Sequence, residues 1–211
     1  GSSPTLNLNG FSLTVGSGAV MLATGNDTTT YTISNGILTS GSAGVGGPLY
    51  LYQMNYAGTN RKIAISAGVA DNAGGPVQLV ISSADGATTG NTTTLSGSNT
   101  YSGGTVINNA AVVLGGTAGQ VVLPAGGVTL NSGGLTLSTN GGQINPANVI
   151  TLNGPSQLTL VSSNTVAALA FNNQGSSTTP TVTTGGTLTL SSATAITASS
   201  MNPQTIATIN G

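Results

Sequence analysis

The sequence predicts an all-β protein and, within that class, a solenoid. Three observations point there. Apolar and polar residues alternate with a period of two in short runs along the whole chain, the pattern of half-buried strands. Each run is bounded by Gly, Asn, Ser or Pro, which marks a strand between turns. Helix signals, which need apolar residues at i, i+3, i+4 and i+7 over about a dozen positions, are nearly absent.

In chain order the alternating runs are TLNLN (5–9), YTIS (31–34), PLYLYQ (48–53), KIAIS (62–66), VQLVIS (77–82) and VTL (128–130). They continue with LTLS (135–138), VITL (149–152), QLTLV (157–161), TLTL (187–190) and TIATI (205–209). Asn-Gly pairs at Asn9-Gly10, Asn35-Gly36, Asn140-Gly141, Asn153-Gly154 and Asn210-Gly211 tolerate positive φ at low cost and read as corners. A sandwich or barrel wants longer strands and regular hairpins. Here the pattern repeats instead: GGVTLNSGGLTLS (126–138) resembles GGTLTLSSATAIT (185–197), and NVITLNG (148–154) resembles TLNLNG (5–10). Short periodic strands that cannot bury an apolar face alone bury it by stacking on their neighbours. A coil of about 20 residues then predicts roughly ten coils and a rod of about 50 Å.

The chain reads as one solenoid module over 1–211, with its most regular repeats in 91–211. The segment 40–90 is less regular and holds Arg61, Lys62, Asp71, Asp85 and three of the five tyrosines. SGSAGVGGP (40–48) and DNAGGP (71–76) are expected to bulge as loops or to carry a small strand-pair insertion.

Charge is scarce: two Lys or Arg and three Asp give a net charge of −1 in 211 residues. Counterion release and attraction to anionic lipid both need clustered cations, so neither nucleic acid nor a membrane surface is an expected partner. No apolar run approaches the roughly 18 residues of a membrane helix. The chain has no cysteine, so disulfides cannot report the compartment. Richness in Thr, Asn, Ser and Gly with so little charge fits an extracellular β-protein.

Catalysis is not expected. The acids are Asp27, Asp71 and Asp85, which read as loop aspartates rather than a paired set for glycoside chemistry. Without histidine there is neither a Ser-His-Asp triad nor a histidine metal site, and no cofactor is expected. The Gly-Gly pairs are corners, since no helix or Lys-Ser/Thr follows them. A polysaccharide-active enzyme remains a minor alternative.

The stretch LSGSNTYSGGTVINNAAVVLGG (95–116) resembles the autotransporter-associated β-strand repeat of very long bacterial surface and secreted proteins. Leu95, Gly97, Asn99, Thr100, Tyr101, Gly103, Gly104 and Thr105 follow that motif in order, while Ala110-Ala111 departs from it. The strong match covers about 30 residues, and the rest agrees in style and spacing. The resemblance implies a right-handed parallel β-helix outside a bacterial cell, and no enzyme. Gly103-Gly104 would turn the backbone where a Cβ would clash, and Asn99 would bond a neighbouring coil's backbone or join an amide ladder. Tyr101 would cover the edge of the core with its hydroxyl in water.

Three binding readings accompany this. Tyr50, Tyr52 and Tyr56 in PLYLYQMNY would pack a loop or subunit contact or, if exposed, stack sugar rings as an adhesin does. Thr-x-Thr pairs at Thr28/Thr30, Thr92/Thr94, Thr181/Thr183 and Thr187/Thr189 would form an ice-binding face if aligned. The uncharged surface also invites lateral association between rods. Asn26-Asp27-Thr28 and Asn91-Thr92-Thr93 have the form of glycosylation acceptors. Both ends read as mid-pattern, and TIATING joined to GSSPTLNLNG would be an ordinary continuation. The expectation is one segment of a longer rod, or a subunit that stacks head to tail on copies of itself into a fibre, stalk, sheath or surface layer.

Overall fold

Period-two alternation gives each strand one apolar and one polar face, and this chain buries the apolar one by winding turn upon turn. The computed structural model describes residues 3–22, 29–42, 45–54, 62–84, 91–173, 178–201 and 207–211. The first coil is β1 (Thr5–Asn7), β2 (Ser12–Val15) and β3 (Ala19–Leu22). The second is β4 (Thr30–Ser34), β5 (Ile37–Ser40) and β6 (Pro48–Gln53), and the third β7 (Lys62–Ile65), β8 (Gly68–Val69) and β9 (Gln78–Ser83). The middle coils carry two strands each: β10 (Thr92–Leu95) with β11 (Thr105–Asn108), β12 (Ala111–Leu114) with β13 (Val128–Asn131), and β14 (Gly134–Leu137) with β15 (Val149–Asn153). Then come β16 (Gln157–Leu160), β17 (Asn164–Val166) and β18 (Ala168–Asn173), followed by β19 (Thr181–Thr184), β20 (Leu188–Leu190) and β21 (Ile196–Ser200). The last strand is β22 (Thr208–Asn210).

Three faces result. The first is a nine-stranded sheet, β1-β4-β7-β10-β12-β14-β16-β19-β22, and the third an eight-stranded sheet, β3-β6-β9-β11-β13-β15-β18-β21. The second is β2-β5-β8 at one end and β17-β20 at the other, with irregular backbone and a parallel Leu123–Ile144 bridge between. Every strand pair is parallel, so the fold is a parallel β-helix. The segment 40–90 contributes regular strands to all three faces. Its departure is local, an antiparallel bridge between Asn72 and Gly75.

Inward side chains align in ladders. Ile81, Ile107, Leu130, Leu152 and Phe171 succeed one another on the third face, as Ile65, Leu95, Leu114 and Leu137 do on the first, and all are buried. Outward on the third face runs an amide ladder. The Asn131 amide donates to Asn108 Oδ1 (2.7 Å), Asn153 to Asn131 (2.7 Å) and Asn172 to Asn153 (2.9 Å). Each of the first three asparagines immediately precedes a corner residue with left-handed backbone: Asn109, Ser132 and Gly154. The Asn-Gly expectation holds at Asn9, Asn35 and Gly154, whereas at Asn140-Gly141 the left-handed residue is the following Gly142.

Coil length varies more than the expected 20 residues. It spans 19 residues from Thr92 to its partner Ala111 and 32 from Thr30 to its partner Lys62. Loops between faces absorb the excess without disturbing register, so the chain makes eight turns plus a ninth first-face strand rather than ten coils. Nine layers are about 40 Å tall.

Leu130 is fully buried in the middle of its ladder, while Thr129 beside it points outward. Leu130→Ala is expected to lower stability by about 2–5 kcal/mol in chemical denaturation, and Thr129→Ala by about 0.5 kcal/mol or less. Equal effects would contradict the assigned inward and outward faces.

Candidate functional site

The corner at 95–105 is the most sequence-distinctive part of the chain, and its side chains tie three coils together. Asn99 is buried; its Oδ1 accepts from the Val69 amide (2.7 Å) in the coil below, and its Nδ2 donates to the Val122 carbonyl (2.7 Å) in the coil above. This is the neighbour-coil role expected of it. A Cβ on Gly103 would lie 2.6 Å from the Val77 carbonyl oxygen, and one on Gly104, whose φ is +80°, would collide with Gly126. Tyr101 differs from expectation. It is 1% exposed, and its hydroxyl shares a 2.6 Å hydrogen bond with Thr105 Oγ1 instead of meeting water. The corner folds over the ring, Thr105 supplies a buried partner, and burial pushes the phenol's pKa up, so it stays protonated.

Asp71 completes this corner. Its Oδ1 accepts from the amides of Val77 (2.7 Å) and Ser102 (2.8 Å), and its Oδ2 from the Ser102 hydroxyl (2.7 Å). Asp71 and Ser102 are 31 residues apart, so the carboxylate clamps one coil to the next. Gln143 and Asn148 are further buried amide bridges. Gln143 Oε1 accepts from the Gly116 amide (2.7 Å), and Asn148 Oδ1 from the Gly127 amide (2.8 Å). None of the three was singled out from sequence. The available signal was an isolated polar residue at an inward position.

Tyr50 and Tyr52 lie on the outward side of β6, with Tyr50 44% exposed. Ala19 and Val80 flank Tyr50 across the sheet, and Met21 and Ser82 flank Tyr52. The resulting outer patch is apolar and aromatic, and Met21 is exposed within it. Tyr56, Asp27 and Asp85 lie outside the described residues, so the structure does not place them beside these groups. Among the described residues no cluster of three or more His, Cys, Asp or Glu could hold a metal ion. Asn91 of the second glycosylation-type triplet is buried in the described structure; Asn26 is outside it. Thr92/Thr94 and Thr181/Thr183 occupy the same two outward columns of the first face, but Ala111, Val113 and Gly134 interrupt the hydroxyl array between them.

The two outermost layers form the largest apolar openings. At one end Leu6, Val20, Leu22, Tyr31, Ile33 and Ile63 line a groove; at the other Phe171, Ile196, Ala198, Ala207 and Ile209 line another. The inward-directed Leu6 and Leu13 at the first end, and Ile196 and Ile209 at the second, are exposed only because no further layer covers them. What these ends can do chemically is pair strand edges and bury apolar side chains.

Burial by itself would raise the Asp71 carboxyl, but hydrogen bonds from the Val77 amide and from the Ser102 hydroxyl and amide outweigh it and hold its pKa below the ordinary value. The clamp therefore contributes stability fully above the unfolded aspartate pKa of about 3.9. That contribution fades as pH falls through the lower folded value. In melts from about pH 5 to about pH 2, wild type is expected to lose more melting temperature than Asp71→Asn; parallel curves would contradict the clamp. The chain matches no protein-family model, no curated protein and no solved structure.

Proposed function

We propose that this chain is a non-catalytic structural protein that builds an extracellular bacterial fibre or surface layer by end-to-end stacking of β-helical coils. One observation carries the reading: each outermost layer leaves strand edges unpaired and inward apolar side chains uncovered. Such an edge is a template for another parallel strand, and solenoids otherwise need a polar cap. The added layer is supplied by adjoining repeats or by another copy of the chain. Near-neutrality supports this, because nothing repels an approaching rod. The resemblance of residues 95–105 to the autotransporter-associated repeat supports a place on the bacterial cell surface.

Electron micrographs of the 211-residue chain are expected to contain unbranched fibres. Leu6→Lys and Ile209→Lys each put an uncompensated charge into one end layer. They are expected to give soluble monomers with near-normal melting, and monodisperse unvaried protein at high concentration would contradict the proposal. A second reading, an adhesin segment, is favoured by the exposed ring of Tyr50 beside Tyr52 and Met21 on a flat outer face, where sugar rings can stack. Glycan-array binding that disappears in Tyr50→Ala and Tyr52→Ala without loss of folding would support it; no glycan retained by the unvaried chain would remove it.

A further inference from the structure

The order in which the chain visits its three faces dictates how two copies can join. Each visit lies directly on the visit three places earlier, first face on first, second on second, third on third. At the upper end the last three visits are β20 on the second face, β21 on the third and β22 on the first. The next position of the spiral is therefore over β20. A second copy presents β1, β2 and β3 as its first three visits, belonging to its first, second and third faces.

We infer that copies stack with a rotation of one face: β1 of the added copy pairs with β20, β2 with β21 and β3 with β22. This rests on the end-to-end stacking proposed above. The partner is a second copy because the contact continues the coil-on-coil interface already repeated through the molecule. Both edges are parallel strands, both grooves are apolar, and no charged side chain lines either one. Side-chain direction also agrees. Leu6, Leu13 and Val20 pair within the molecule with Ile33, Leu38 and Leu51 and so point inward. Leu190, Ile196 and Ile209 pair with Val166, Leu169 and Val182 and point inward as well. Leu6 over Leu190, Leu13 over Ile196 and Val20 over Ile209 extend three buried ladders.

Joining first face to first face fails on the same count. With β1 over β22, two positions of the spiral are skipped, and β20 and β21 stay bare beneath a gap one layer, about 4.8 Å, deep. The rotated join leaves no gap. Each copy then turns by roughly a third of a revolution and advances the filament axis by about 40 Å.

The chain has no cysteine, so introduced pairs report contacts cleanly. With Leu6 over Leu190, outward Thr5 lies over outward Thr189, within disulfide reach across neighbouring strands. In the full chain, Thr5→Cys with Thr189→Cys is expected to give a ladder of dimers and higher oligomers on oxidation. Thr5→Cys with Thr208→Cys, the pair required by an unrotated join, is expected to stay monomeric on a non-reducing gel. The reverse pattern would overturn the rotation while leaving end-to-end stacking intact. Helical reconstruction of unvaried filaments gives a second reading: rotation near a third of a turn per copy supports the inference, and rotation near zero overturns it. Neither filaments nor cross-links in any variant would overturn the stacking proposal, and this inference with it.

Discussion

Every strand of this protein has its hydrogen-bonding partners in the layer below and the layer above, and in no other place. A parallel pair cannot be closed by a tight hairpin, so the chain must travel round the remaining faces before it returns one layer higher. The rest follows from that constraint. Apolar side chains meet their counterparts from the previous turn and form ladders. Loops lie at the corners, where they can lengthen without shifting a strand. The two ends are the only layers left with one neighbour instead of two.

The polar side chains that matter most act across layers too. Asn99 satisfies a backbone amide below and a carbonyl above, so it joins three coils where the second face lacks regular strand pairing. Asp71 does the same between two corners with a charge-assisted set of bonds, the stronger kind. The asparagine ladder on the third face holds its outer edge in register, each amide both donating and accepting. In a chain this poor in charge, amides and hydroxyls supply the specificity that ion pairs supply in other proteins.

Strands were legible wherever alternation was strict: PLYLYQ is β6 and QLTL is β16 because one face of each is buried. β8, only Gly68–Val69, carries no local pattern and is a strand only because β5 lies beside it. Coil length was not legible, since 19-residue and 32-residue turns stack equally well when the excess goes into corners. The left-handed corners at Asn109, Ser132 and Ser162 lack the Asn-Gly signature. Part of the motif corner could be read, because Gly103-Gly104 and Asn99 have roles that follow from residue type. Tyr101 could not, since its burial depends on Thr105 and on how the corner closes over it. The Asp71–Ser102 clamp joins residues from different coils and exists only after winding.

The central claim is that successive turns rise in equal parallel steps. Outward residues Thr32 and Thr183 share one column of the first face and are separated by six such steps. Electron–electron resonance between nitroxide labels at these positions measures that rise directly. A single distance distribution centred on a backbone separation of about 29 Å is the result this winding requires. A short distance, or two populations, would mean that the strands fold back on one another and that the layered account is wrong.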